Sequence, residues 1–184
     1  MFMTHTMKSG GTLTIIVRNA TENRLANRCF RRNKIPKAGM FRHWRSATQL
    51  FQDTTILERF VGEVQRCLRE EVIDGSGATF SAMIVCPDPV GWASTAPRGD
   101  FSREQLEYFR INDRAQGFRV RPEYNAPRAP LTNTITFVYE LKIESGNPVA
   151  VIHSLYPGKD IGELRGDVSA RENIVFFDWD HPGA

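Results

Sequence analysis

Residues 132–159 read TNTITFVYELKIESGNPVAVIHSLYPGK, from Thr132 to Lys159. Over Asn133–Ile143 the pattern alternates: Ile135, Phe137, Tyr139, Leu141 and Ile143 against Thr134, Thr136, Val138, Glu140 and Lys142. A period of two marks a strand with one buried face. Glu144-Ser145-Gly146-Asn147 is turn chemistry, and Val149–Leu155 is apolar enough to return as the partner strand. Tyr156-Pro157-Gly158 reads as the turn that ends it. The segment is an antiparallel hairpin, and the fold is built outward from it.

Loop length decides which side chains share a face. A two-residue loop, Ser145-Gly146, pairs Glu144 with Asn147 and sets Val138 opposite His153. A four-residue loop pairs Glu144 with Val149 and sets Glu140 opposite His153. Both keep His153 on the face of Thr136, Glu140 and Lys142, because parity is preserved. A three-residue loop turns His153 to the Phe137/Tyr139 face.

In the first two registers His153 and Glu140 are direct or diagonal neighbours. A carboxylate beside an imidazole holds one tautomer and raises its pKa, which makes a general acid or base near neutrality. Thr136 is placed to donate to a developing oxyanion. Lys142, Lys159, Arg165 and Arg171 are cations for a phosphate. This set meets the needs of metal-independent RNA cleavage: a base for the 2′-OH, an acid for the leaving 5′-oxygen and a cation on the phosphate. The plain alternative is a half-buried, hydrogen-bonded histidine between Val151 and Leu155.

Outward from the hairpin, Gly11–Val17 reads as a short strand and Thr21–Arg28 as a turn or two of helix. Thr55–Val72 carries an apolar stripe of Leu57, Phe60, Val61, Val64, Cys67, Leu68 and Val72 at helical spacing. Thr55 with Glu58 forms a capping box, and Asp74-Gly75 is the expected stop. Ala78–Cys86 is a buried strand halted by Pro87-Asp88-Pro89. Ser102 opens a second helix, with Gln105 completing its capping box and Leu106 and Phe109 turned to the core. Short strands are expected at Gly117–Arg121 and Asn173–Trp179. Helices first and a mainly antiparallel meander last give an α+β fold, with an N-terminal strand and helices packed on the C-terminal meander. Residues 1–10 read as a flexible leader and 11–184 as one domain.

The 184 residues are 41% hydrophobic and 24% charged, which is globular composition. No apolar run reaches the ~20 residues of a membrane span. The N-terminus lacks the parts of a secretory signal. Cys29, Cys67 and Cys86 stand apart, which points to a reducing, cytoplasmic setting without a disulfide framework. His5, His43, His153 and His181 are scattered, so neither a metal nor a cofactor is expected. The acids Asp178 and Asp180 beside His181 have the chemistry to bind a divalent ion, but read rather as solvent-facing. GxxxxGK[ST], GxGxxG and GxSxG are absent, so P-loop, Rossmann and α/β-hydrolase chemistry has no anchor.

The net charge of +3 is unevenly spread. Residues 18–45 hold nine bases, Arg18, Arg24, Arg28, Arg31, Arg32, Lys34, Lys37, Arg42 and Arg45, against Glu22 alone, a local +8. With Phe30, Phe41 and Trp44 among them, the segment suits RNA or another polyanion, with Arg31, Arg32, Lys34, Lys37, Arg42 and Arg45 as contacts. The alternatives are a solvated face, or a homo-oligomer in which this arm meets a neighbour's acidic tail and Phe176, Phe177 and Trp179 anchor the contact.

Val149-Ala-Val-Ile-His-Ser-Leu-Tyr-Pro-Gly158, following a strand and tight turn, resembles the C-terminal hairpin of small bacterial ribonuclease toxins of the barnase, EndoU, colicin and RelE-like group. The resemblance covers about the last 50 residues of the chain. It implies N-terminal helices on a four-stranded antiparallel sheet, with strands starting near Gly117, Asn133, Pro148 and Asn173 and the active site on the open face. It also implies RNA as substrate and a cognate inhibitor protein as partner. The group often has Thr or Ser at the place of His153 and its histidine earlier in the chain. His43, in Phe41-Arg-His-Trp-Arg45, is the matching earlier histidine, which makes it a catalyst candidate beside His153.

Overall fold

The computed structural model describes residues 1–30, 38–93, 95–97, 109–114, 117–122, 129–159 and 174–177. The first part of the chain forms β1 (Phe2–Thr6), β2 (Thr12–Val17), α1 (Asn19–Asn27), α2 (Ala47–Gln52) and α3 (Thr54–Glu70). Then come β3 (Ala78–Val85), β4 (Gly91–Trp92), β5 (Thr95–Pro97), β6 (Phe109–Arg114) and β7 (Gly117–Pro122). The C-terminal part holds β8 (Leu131–Thr132), β9 (Thr134–Glu144), β10 (Asn147–Pro157) and β11 (Ile174–Phe177). The fold is α+β, as the element pattern predicts.

The hairpin β9–β10 takes the two-residue turn. Glu144 faces Asn147, and Ser145 (φ 50°) and Gly146 (φ 79°) both lie in the left-handed region. That conformation matches the right-handed twist of the flanking strands, and glycine adopts it without steric conflict. The hairpin is the centre of a five-stranded sheet ordered β1-β2-β10-β9-β3. Neighbours are antiparallel except β2 and β10, which run parallel.

Two expectations are corrected here. Residues 1–10 are not a loose leader: Phe2–Thr6 pairs with β2 from Phe2↔Ile16 to Thr6↔Thr12, and Met7 is buried. The alternation Met3/His5 against Phe2/Thr4/Thr6 lets this edge strand turn its less exposed side to the core. The four-stranded sheet implied by the toxin resemblance is not formed either. The strands at Gly117 and Ile174 belong to a second sheet, β5-β11-β7-β6, with β11 parallel to β7.

The main core lies on one face of the five-stranded sheet. Ile135, Phe137, Tyr139 and Leu141 of β9 are fully buried there with Leu13 and Ile15 of β2, Ala150 and Ile152 of β10, and Ala82 and Ile84 of β3. Against them α3 lays Ile56, Phe60, Val61, Val64 and Cys67. Phe60 is the hub: its ring centroid is 5.1 Å from Phe137, 5.2 Å from Tyr139 and 5.7 Å from Phe51 of α2. Each such side chain contributes roughly 1.5–3 kcal/mol by leaving water.

The α3 boundaries differ from the sequence expectation at both ends. Its N-cap is Asp53, whose Oδ1 accepts from the Thr55 amide at 3.1 Å and the Ile56 amide at 3.3 Å, so the Thr55/Glu58 box is not the cap. Just before it, α2 is capped by Ser46, and this helix is too short to announce itself by periodicity. The α3 helix stops at Glu70, where Glu71 turns extended, leaving Val72 99% exposed instead of in the stripe. Asp74 shapes the next turn, accepting from the Ser76 amide at 2.8 Å and its hydroxyl at 2.5 Å. Those bonds hold its carboxyl below the usual range, the hydroxyl bond most.

The helix expected from Ser102 lies outside the described residues up to 108, and Phe109, assigned to it, instead opens β6. The cysteines Cys29, Cys67 and Cys86 are buried free thiols. No helix among the described residues is long and apolar enough to cross a membrane.

Candidate functional site

The hairpin register runs without interruption from the turn to Ile152↔Tyr139, then resumes at Ser154↔Val138. His153 is the extra residue of a β-bulge. A regular two-residue hairpin would have set it opposite Val138, and Ser154 takes that place. Bulges re-aim a side chain and sharpen local twist. This one keeps the His153 ring on the Glu140 side while returning Leu155 to Phe137 and the core.

The ring meets its expected partner. His153 Nε2 lies 3.3 Å from Glu140 Oε2, with the two side chains 28% and 29% exposed. Gly77 makes room for the carboxylate. A Cβ there would stand 3.0 Å from Glu140 Oε1 and 3.2 Å from its Cγ, and the φ of +79° itself favours glycine.

The bulge is tied down from outside the sheet. The Thr21 hydroxyl, buried in the first turn of α1, donates to the His153 carbonyl at 2.7 Å. The Arg18 amide, at the N-cap position, donates to the Ile152 carbonyl at 3.4 Å. α1 is itself held, since Glu22 Oε2 accepts from the Ala47 amide at the start of α2 at 2.9 Å. The imidazole therefore projects from a backbone fixed on both sides.

Lys142 shares the face but is engaged: its ammonium pairs with Glu144. Its pKa is raised, first by the hydrogen bond to Glu144 and less by the charge of Glu140, with Arg18 opposing. Arg18 is exposed, and its backbone amide meets Ile152, the residue before the bulge. Charge patterning in the sequence places it only among the basic residues, and its backbone bond next to the bulge makes it a further site candidate.

Thr136 does not join the pair. It is fully buried and its hydroxyl donates to the Gly158 carbonyl at 2.7 Å, fixing the strand exit. Four residues of extended strand also separate it from Glu140, about 13 Å. The oxyanion role expected for it is corrected to a structural one. His43 is exposed and stands edge-on to Trp44, with ring centroids 6.0 Å apart, not against His153 or Glu140.

Arg42, Arg45 and Lys159 are exposed. Arg31, Arg32, Lys34, Lys37, Arg165 and Arg171 lie outside the described residues. Among the described residues, no three His, Cys, Asp or Glu side chains gather as a metal would require. No protein-family model, curated protein or solved structure matches the chain.

Proposed function

We propose that the chain is a metal-independent endoribonuclease of the toxin or effector type, acting through His153 and Glu140. The observation that carries this reading is the 3.3 Å pair itself, partly open to solvent on a bulge held by α1. An imidazole and a carboxylate are the two proton-transfer groups that RNA transesterification needs.

In this reading Glu140 takes the proton of the 2′-OH as that oxygen bonds to phosphorus. The imidazolium of His153 gives its proton to the departing 5′-oxygen as the P–O5′ bond breaks. The products are a 2′,3′-cyclic phosphate and a free 5′-OH, with no net gain or loss of protons. Lys142 is held by Glu144, so the positive charge that favours the dianionic transition state falls to Arg18, whose backbone amide meets Ile152 next to the bulge. A cytoplasmic site of action and a cognate inhibitor protein belong to the same reading.

The test is incubation of the purified protein with total RNA and tRNA in EDTA, alongside His153→Ala and Glu140→Gln. Cyclic-phosphate ends are expected from the wild type, with rates lowered about 10²-fold or more in each variant. His153→Ala keeps the Thr21 tie, because that bond goes to the backbone carbonyl. A folded His153→Ala protein that cuts RNA as fast as the wild type would sink the assignment.

A further inference from the structure

Away from the hairpin face, four short segments lie side by side. Cys29 bridges Phe41 in parallel, Phe41 bridges Gly91 antiparallel, and β4 pairs with β8 through Gly91↔Thr132 and Trp92↔Leu131. Backbone bonds close the strip: Phe30 N to Phe41 O at 2.7 Å, Gly39 N to Trp92 O at 2.7 Å and Trp92 N to Met40 O at 3.0 Å.

Cys29, Phe41 and Gly91 are buried. Alternation turns their neighbours Phe30 and Trp92 to the opposite side. Phe30 and Trp92 meet there with ring centroids 5.2 Å apart at 49°, both partly exposed. Met40, whose carbonyl accepts from the Trp92 amide, is buried. Leu131, the register partner of Trp92, is 53% exposed. Arg42 is exposed, and its amide donates to the Val90 carbonyl at 2.9 Å, next to Gly91 of the strip.

Two segments of the strip, 28–30 and 40–42, come from the stretch 18–45 with its nine bases and one acid. A pair of partly exposed aromatic rings in contact, with an exposed arginine in the neighbouring segment of a strongly positive stretch of sequence, matches one ligand chemistry. The π-faces receive unpaired bases and the cations receive the phosphates. A duplex keeps its base faces stacked on one another and offers the rings nothing.

We propose that Phe30 and Trp92 form a stacking platform for single-stranded nucleic acid, with Arg42 on the backbone phosphate. The platform does not depend on catalysis at His153.

Fluorescence anisotropy with labelled oligothymidylate and with its duplex tests this on the full chain. The probe has no 2′-OH, so binding is read without cleavage and a failure of the ribonuclease reading leaves the result intact. The wild type is expected to prefer the single strand. Trp92→Leu and Phe30→Leu are each expected to lose about 5- to 100-fold in affinity. Arg42→Gln, at an exposed position where folding is not at stake, is expected to reduce the slope of log K against log salt by about one. A folded Trp92→Leu protein that binds like the wild type would overturn the proposal. So would a preference for duplex, the absence of binding, or an Arg42→Gln variant with unchanged affinity and salt slope.

Discussion

Thr21 Oγ1 donates to the carbonyl of His153 at 2.7 Å, joining the first turn of α1 to the bulge of β10 across 132 residues of sequence. The bond fixes the backbone from which the imidazole projects. Thr21→Val keeps the shape and removes the donor, leaving a carbonyl unpaired in a part-buried place. The expected loss is about 1–3 kcal/mol in urea unfolding. Thr21→Ser should recover most of it, and equal stability of the Val variant and wild type would show that the bond contributes nothing net.

Phe60 touches three aromatic rings and is fully buried. Phe60→Ala should therefore lower stability by about 3–5 kcal/mol, through lost transfer energy and the cavity left behind. A loss under about 1 kcal/mol by the same denaturation measurement would mean that α3 closes onto the sheet without it.

Tyr139 gives the pH prediction. Burial, and then its bond to the Cys67 thiol at 3.4 Å, hold the phenol well above the ordinary tyrosine value. The folded state thus favours the neutral form. Its contribution is complete below pH ~10 and declines as pH rises beyond that, because the unfolded chain ionises first. Tyr139→Phe should flatten this alkaline loss in melting temperature measured against pH. A smaller part should remain from Cys86, whose thiol burial also raises. An alkaline loss unchanged in Tyr139→Phe would contradict the account.

Asp53, not Thr55, satisfies the first amides of α3. Asp53→Ala should lower the melting midpoint by the equivalent of about 0.5–2 kcal/mol, and Glu58→Ala by much less. The reverse order would restore the Thr55/Glu58 capping box.

Two glycines should respond with opposite sign. Gly62 lies in the middle of α3, and an added Cβ there would meet nothing within 4 Å, so Gly62→Ala should stabilise by about 0.5–1 kcal/mol. At Gly91 a Cβ would stand 2.2 Å from the Met40 carbonyl oxygen and 3.0 Å from Pro157, and neither can swing away. Gly91→Ala should lower stability by at least about 1–3 kcal/mol. Thermal melts of the two variants in parallel decide both.

Much of the hairpin was legible because its signals are local. The alternation over β9 and the Ser145-Gly146 turn need no distant partner to be read. The apolar stripe of α3 was legible for the same reason, although its ends were not. Several residues near Asp53 and Asp74 can cap or stop a helix, and backbone geometry selects among them. The His153–Glu140 pairing was reached through parity. The bulge at His153, which sets Ser154 opposite Val138 and returns Leu155 to the core, is not legible, since an extra residue in a β-strand leaves no mark in an apolar run.

Taken by itself, then, the order of residues determined an α+β chain and a hairpin with Ile135, Phe137, Tyr139 and Leu141 on its inner side. These follow from period-two and period-3.6 patterning, which acts over a few residues. The two-residue turn seen in the structure is what sets His153 on the Glu140 face. Only the tertiary structure decided that residues 2–6 are a strand, that β10 runs parallel to β2, and that Thr136 serves Gly158. It alone placed Thr21 on His153 and Trp92 against Phe30. Each of these joins groups far apart in sequence, and such contacts form only when burial of the shared core sets the strands and helices side by side.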